Sequence, residues 1–276
     1  MSLLLRDQLR IDLRPDRVVL VRQRGWPRKT VVARQIEICG APLAGEALWE
    51  PVLRAMHAGA AAIGNGRLDA TVVLSHHFVR YALIPRGAQL SNDREEQAYL
   101  RYCFSKTYGG DAEHWALRQS ASGRGEILVA SAIDQRLLDG LDRVATACSW
   151  RLTSVQPSLM TVFNHWRRRL HGAALWFISV EPGRLCIVRV NHGQWSSLRT
   201  IKIDDGWLTR LPQLLDRELQ LSGCDTPRGS VFISAPDVSH AAVLPASDWE
   251  IHWLEISPDP GVAPGRRLAE VLLVSG

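Results

Sequence analysis

The chain has 276 residues, of which 46% are hydrophobic and 22% are charged. These values are typical of a globular protein with one or two domains, and they exclude an intrinsically disordered chain. The formal net charge of +5 is modest for this length, so it permits contact with nucleic acid or anionic lipid but does not require it. No apolar run approaches the roughly 20 residues that cross a bilayer. Because Met1–Leu5 is short and followed by charge, we expect no export signal.

The first half of the chain is predicted to open with strands and to continue with alternating helices and strands. Asn92 and Glu95 form a capping-box pattern, Gly109-Gly110 ends that helix, and Asp134 is a typical N-cap. In chain order we expect strands over 10–13, 17–22 and 30–38, a helix over 45–63 that starts near residue 49, a β-rich stretch over 69–84, a helix over 91–108, a hairpin of 115–120 and 126–133 around Ser122-Gly123, and a helix over 134–148.

The second half is predicted to repeat this mixture of strands and helices. We expect a strand over 151–155, a helix from 157 to about 170, a hairpin from 174, a third strand over 197–203, a helix over 204–221 with a kink at Pro212, strands over 231–234 and 250–256, and a last element over 268–274. The only natural boundary lies between residues 156 and 172.

One pattern occurs twice along the chain. Ile11–Arg22 reads IDLRPDRVVLVR, and Ile178–Arg189 reads ISVEPGRLCIVR, so the two align without a gap. Each copy predicts a strand, a tight turn at Pro15-Asp16 or Pro182-Gly183, and a second strand. So short a match also arises by chance, but an internal duplication accounts for it better. Two α/β halves, each led by a β-hairpin, fit the duplicated actin-like (ribonuclease H-like) fold, with domains over 1–156 and 157–276.

The middle of the chain resembles a particular group of actin-like proteins. The resemblance is carried by Val73-Leu74-Ser75, Phe78–Tyr81, Ile84-Pro85, the acidic helix start at Asp93–Gln97, Tyr99, Phe104 and Trp115. This order is similar to that of the cytoplasmic domain of the type II secretion platform protein GspL and of the PilM family of type IV pilus proteins. The resemblance implies a non-catalytic scaffold in the cytoplasm that reaches the inner membrane through a partner. That partner is expected to be the cytoplasmic tail of a single-pass inner-membrane protein, and an assembly ATPase is a second candidate partner.

Actin-like proteins that bind ATP use the two hairpins as phosphate loops, with an Asp-x-Gly in each first strand. Carried over by position, the resemblance places Asp12 and Arg14 in the first hairpin and Ser179 and Glu181 in the second. The adenosine-side glycine pair corresponds to Ala235-Pro236, after Ser234. Glycine is needed in the Asp-x-Gly of each hairpin because a Cβ obstructs the approach of backbone to phosphate. The resemblance therefore implies vestigial phosphate-loop and adenosine-side positions and no cofactor.

Two alternative functions remain open from the sequence. The first is a nucleotide-binding actin-like ATPase, in which ATP and Mg²⁺ would be cofactors and Asp12 would orient the metal ion. The second is nucleic-acid binding, which rests on an isoelectric point near 9.2 and on Arg167–Arg169. This run follows a predicted helix, where cations complement the helix dipole, so we expect no nucleic-acid partner.

No metal site is expected from the sequence. His76-His77 are neighbours in a predicted strand and would point to opposite faces, which disfavours shared ligation of one ion. The five cysteines are odd in number and never spaced as Cys-x-x-Cys, which favours reduced, mostly buried thiols in a cytoplasmic protein. They are Cys39, Cys103, Cys148, Cys186 and Cys224. Trp26 and Trp195 hold equivalent places in the two copies, where core or interdomain packing is expected rather than ligand stacking.

Overall fold

The structure is a computed structural model that describes residues 7–25, 29–64, 66–85, 92–120, 127–222, 228–237 and 247–254. Four predicted features lie outside these ranges: the turn at Ser122-Gly123, the element over 268–274, Trp26 and Cys224.

The described residues form five α-helices, thirteen strands and one short 3-10 helix. The strands are β1 Gln8–Leu13, β2 Arg17–Arg24, β3 Thr30–Ile38, β4 Leu68–Leu74, β5 Val79–Pro85, β6 Trp115–Gln119, β7 Ile127–Asp134, β8 Trp150–Pro157, β9 Ala174–Glu181, β10 Arg184–Asn191, β11 Gln194–Lys202, β12 Ser230–Ser234 and β13 Ile251–Trp253. The helices are α1 Glu50–Ile63, α2 Asp93–Tyr108, α3 Gln135–Ala147, α4 Ser158–Trp166 and α5 Trp207–Leu221, with the 3-10 helix over Gly109–His114.

Two predicted helix starts are confirmed by their caps. The Asn92 side chain accepts a hydrogen bond from the backbone N–H of Glu95 at 3.0 Å, and the Asp134 carboxylate accepts one from the backbone N–H of Arg136 at 2.9 Å. One predicted helix end is wrong. The helix α4 stops at Trp166 rather than near Leu170, and the shorter hydrogen bond after it, from the Arg169 N–H to the Trp166 carbonyl at 2.7 Å, spans three residues as in a turn rather than four as in an α-helix.

The chain divides into two compact units. One takes its described residues from Met1–Val79 and Asp134–Thr161, and the other from Arg80–Ile133 and Val162–Gly265. The predicted domain boundary after residue 156 lies at the end of β8, whereas these units follow packing, and the second includes Arg80–Ile133. All strands of the first large sheet fall within residues 8–157, and all strands of the second within 174–253.

The two large sheets have matching topology. The first has the order β3-β2-β1-β4-β8, and the second has the order β11-β10-β9-β12-β13. In each sheet, three consecutive strands form an antiparallel meander. The first strand of the meander pairs with a parallel strand, which pairs in turn with a second parallel strand. The smaller sheet, with the order β5-β7-β6, packs against α2 through a core that includes Leu100, Phe104 and Leu117.

The repeated sequence pattern has the same pairing register in both sheets. In the first hairpin Ile11 lies opposite Leu20, and in the second Ile178 lies opposite Ile187, which are equivalent positions of the two copies. A β-bulge follows Arg22 in the first meander and Arg189 in the second, again at equivalent positions. Equal register and equal bulges are not explained by chance similarity of two short strands, so the duplication is supported by the backbone itself.

The last arginine of each copy holds the end of a helix. Arg22 Nη1 donates to the carbonyl of Ile63, the last residue of α1, at 3.1 Å. Arg189 Nη1 donates to Oγ of Ser222, the C-cap of α5, and that hydroxyl donates to the Leu219 carbonyl at 2.7 Å. Cations at helix C-termini satisfy carbonyls that lack an intrahelical partner and complement the helix dipole. This shared role explains why arginine is identical at this position of both copies.

Candidate functional site

The first predicted phosphate-loop position is occupied by a buried ion pair. Asp12 and Arg14 lie two residues apart at the end of β1, so their side chains project to the same face of the sheet. Arg14 Nε donates to Asp12 Oδ2 at 2.9 Å, and the two residues are only 5% and 4% exposed. The carboxylate that would orient a metal ion in an ATP-binding relative is thus hydrogen-bonded to a cation of the chain itself.

The second predicted loop carries charge of the opposite sign. Ser179 and Glu181 are both buried at the end of β9, and the strand register places Glu181 opposite Arg184 on β10. Burial, and then the neighbouring Arg80, lower the pKa of Arg184, whereas the charges of Cys186 and Glu181 oppose that shift. A carboxylate at this position repels the phosphates that a loop of this type would hold.

The predicted adenosine-side positions lie beside the second hairpin. The parallel pairing of β12 with β9 places Ser234 next to Ser179. The Ser234 hydroxyl accepts a hydrogen bond from Trp166 Nε1 at 3.3 Å, and Trp166 is 3% exposed. Ala235 is buried and Pro236 is half-buried. The structure therefore brings Ser179 and Ser234 together, with the Trp166 indole hydrogen-bonded to Ser234.

The side chains at the two hairpins differ from the Asp-x-Gly pattern of a phosphate loop. Arg14 places a Cβ and a guanidinium where backbone would approach phosphate, and Asp12 is already hydrogen-bonded to that guanidinium. Glu181 adds a buried anion at the other loop. A phosphate-binding loop needs backbone N–H groups and net positive field instead.

The other residues singled out from the sequence have structural surroundings. His76 and His77 follow β4 in a turn rather than lying in a strand, which corrects the prediction; His76 is fully buried, and the His77 N–H donates to Ser75 Oγ. Among the described residues, no cluster of three histidine, cysteine or carboxylate side chains is arranged to hold a metal ion. Arg169 stacks on Trp166 at 5.3 Å, and Trp195 packs edge-to-face on Phe163.

The thiols and helices have further features that bear on function. The four described cysteines, Cys39, Cys103, Cys148 and Cys186, are free thiols; Cys186 is buried and the others are half-buried. Burial raises the pKa of Cys39 to about 11, with Asp16 and Glu37 adding to the shift.

Within the described ranges, no helix combines the length and apolar character that crossing a bilayer requires.

Sequence reasoning missed two polar side chains that are at least half-buried, Arg10 of β1 and Gln23 of β2. Arg10 is half-buried and Gln23 is 1% exposed. The available signal was the alternation in β1, where Gln8, Arg10 and Asp12 occupy every second position between Leu9, Ile11 and Leu13. That alternation is typical of one solvated face, so it predicts exposure of the polar positions, which the structure contradicts for Asp12 and Arg10.

Comparison with solved structures identifies the fold. The chain matches the cytoplasmic domain of EpsL, an inner-membrane component of the type II secretion system of Vibrio cholerae, with a TM-score of 0.61 and 12% identity over 98% of this chain and 93% of that one. The actin-like fold is confirmed. A Bacteroides thetaiotaomicron protein with actin-like ATPase fold and unknown function matches with a TM-score of 0.58, 13% identity and 85% coverage of both chains.

The pilus branch of the predicted resemblance is also found among solved structures. A chain of the PilM–PilN type IV pilus biogenesis complex matches with a TM-score of 0.58 and 12% identity, over 82% of this chain and 80% of that one. No protein-family model matches the chain, and no curated protein matches it by sequence. The resemblance inferred from the sequence is therefore confirmed by structure, at the level of the fold.

Proposed function

We propose that this chain is a non-catalytic scaffold of a type IV pilus or type II secretion platform, and that it docks the cytoplasmic tail of an inner-membrane partner. The observation that carries the proposal is the fold match to the EpsL cytoplasmic domain over 98% of this chain and 93% of that one. A match of such extent leaves little of either chain for a different architecture. Because fold alone does not fix function, the residues of the site have to supply the rest of the argument.

The non-catalytic part of the proposal rests on charges at the two hairpins. In the first, Arg14 neutralises Asp12 within a buried hydrogen-bonded pair. In the second, Glu181 places a buried carboxylate at the position equivalent to Arg14. A phosphate at the first hairpin would have to displace the guanidinium from Asp12, and a phosphate at the second hairpin would meet a buried anion; each is unfavourable in a low-dielectric environment.

The docking part of the proposal is supported by an open sheet edge. Among the described strands, β3 pairs only with β2, so its outer edge is available for strand addition. Exposed apolar side chains concentrate there, with Val31 and Val32 each 45% exposed and Ile38 77% exposed. A tail that is disordered when free and becomes ordered on docking can use such backbone donors and acceptors.

Titration calorimetry with Mg-ATP tests the non-catalytic part. We expect the wild-type chain to give no saturable heat up to about 1 mM nucleotide, a concentration that would reveal even weak specific binding. Micromolar binding would support the actin-like ATPase alternative instead. The Arg14→Gly variant is the matched comparison, because it removes both the Cβ and the cation while leaving Glu181 in place.

Fractionation of cells tests the docking part. We expect the chain at the inner membrane when the single-pass platform protein is present and in the soluble fraction when every such protein is deleted. Membrane association that persists in the deletion strain would contradict a partner-mediated mechanism and point to direct lipid binding. An Ile38→Asp substitution separates the edge from the rest of the surface, because it places charge on the β3 edge without touching the buried core.

A further inference from the structure

One face of the first sheet carries buried polar side chains that the fold does not require. The opposite face, with Ile11 and Leu20, packs on α1, where a Cβ added to Gly59 would lie 2.7 Å from Leu20 Cδ1. Arg10 projects to the other face because successive strand residues alternate. Gln23 shares that face, since it lies two residues beyond Val21, the register partner of Arg10. Arg10 and Gln23 are therefore diagonal neighbours, within reach of long side chains.

Gln23 is a buried amide without a hydrogen bond. The residue is 1% exposed, and neither its side-chain nitrogen nor its oxygen has a partner. Leaving a buried polar group unsatisfied is unfavourable, so such groups are rare and each needs an explanation. Completion of the amide by a ligand atom is one such explanation.

Arg10 is a half-buried cation that no described carboxylate neutralises. Burial lowers its pKa, and no acidic group among the described residues opposes that shift. Two carboxylates do project to this face, but each is engaged elsewhere: Arg14 donates to Asp12 at 2.9 Å, and Arg151 donates to Asp69 at 2.9 and 2.7 Å.

The second copy of the repeat shows that the backbone does not demand polar residues here. The equivalents of Arg10 and Gln23 are Phe177 and Val190, which are 0% and 5% exposed. The same sheet position is thus filled by apolar side chains in one copy and by a guanidinium and an amide in the other. An apolar pair is the more stable choice for a buried face unless the polar groups bind something.

We propose that Arg10 and Gln23 form a binding site for an oxyanion, the phosphate or carboxylate group of a ligand. The oxyanion accepts hydrogen bonds from the Arg10 guanidinium and the Gln23 amide. Guanidinium is suited to this role because it stays protonated when buried and presents a planar set of donors. The site is independent of the platform function proposed above.

Calorimetry with inorganic phosphate and with succinate, on the full chain at low ionic strength, tests the site. We expect saturable binding of at least one of them with a dissociation constant of about 1 mM or tighter. Arg10→Gln should weaken that binding at least about tenfold, because it removes the charge-assisted hydrogen bonds. Arg94→Gln is the matched control, since it makes the same charge change on an exposed residue of α2 and should leave the affinity unchanged.

A second variant keeps the proposal testable if Arg10→Gln folds poorly. Gln23→Met replaces the unsatisfied amide with an apolar side chain of similar size, so we expect a higher Tm without ligand and a smaller rise in Tm when phosphate or succinate is added. A higher Tm with an undiminished ligand-induced rise would overturn the role of Gln23. No saturable binding of either anion, or equal weakening by Arg10→Gln and Arg94→Gln, would overturn the site. The preferred anion distinguishes a phosphate ligand from a carboxylate ligand.

Discussion

Substitution of Arg22 tests how much one repeated arginine stabilises the first copy. Its guanidinium is 17% exposed and makes contacts of 2.7 Å with Asp7 through Nε and Nη2, besides the hydrogen bond to the Ile63 carbonyl at 3.1 Å. Hydrogen bonds to charged groups contribute about 1.5–3 kcal/mol, and a cation at a helix C-terminus about 0.3–1 kcal/mol. We therefore expect Arg22→Ala to lower the free energy of unfolding by about 3 kcal/mol.

Arg24 provides the matched control because it binds the same carboxylate. It donates to Asp7 at 2.9 Å through both Nε and Nη2, and this contact is the largest influence that lowers the Asp7 pKa. Its side chain, however, is 63% exposed, so water screens the pair and the arginine loses conformational freedom in forming it. We expect Arg24→Ala to have a much smaller effect than Arg22→Ala, although the two contacts look alike by distance.

Urea denaturation followed by circular dichroism measures both variants. Arg22→Lys is a further comparison, since it keeps the charge but loses the planar donor set, and it should retain only part of the stability. Equal losses from Arg22→Ala and Arg24→Ala would refute the reasoning, because burial would then not decide the strength of the pair. A loss below about 1 kcal/mol for Arg22→Ala would show that the helix end does not need this hydrogen bond.

The remaining predictions concern acid stability, backbone clash and thiol reactivity. Hydrogen bonds from Arg24 and Arg22 lower the Asp7 pKa below its usual 3.8, so the stabilising contribution of Asp7 is present above that pH and is lost as the pH falls below it. In acid unfolding, the free energy of unfolding of Asp7→Asn should therefore depend less on pH in this range than that of the wild type. Gly229 has φ of +73° and a Cβ would lie 2.6 Å from the Ala174 carbonyl oxygen, so Gly229→Ala should lower Tm more than Gly193→Ala, where φ is +77° and nothing lies within 4 Å. Because the pKa of Cys39 is raised to about 11, iodoacetamide at pH 8 should label it slowly in the native chain and readily in urea, as read by mass spectrometry.

Elements with strong local signals could be predicted from the sequence. The capping residues Asn92 and Asp134 were identified because a side chain that accepts a hydrogen bond from a nearby backbone N–H is a local property. The hairpin repeat was visible because a duplication preserves spacing. The role of Arg22 could not be derived, because its partners Asp7 and Ile63 are far away in sequence and reach it only through the folding of the sheet and of helix α1.

The sequence indicated residues of the candidate site but not their contacts. Asp12 and Arg14 are predicted as vestigial phosphate-loop positions, whereas their mutual hydrogen bond depends on the burial of one sheet face. Arg10 and Gln23 were not identified, since alternation in a strand shows which residues share a face and not whether that face is covered. Coverage is a tertiary property, and a single sequence carries little information about it.

The equal registers of the two hairpins have a consequence for how the chain folds. Backbone geometry does not distinguish β2 from β10 as a partner for β1, because register, turn length and bulge position coincide. Misassembly between similar repeats is a characteristic failure of duplicated chains. Discrimination must come from side chains, and a β1–β10 pairing would carry Arg189 away from Ser222 and leave the end of α5 unheld. The residues that differ between the copies, such as Arg10 and Phe177, are therefore the ones that can direct each strand to its own partner.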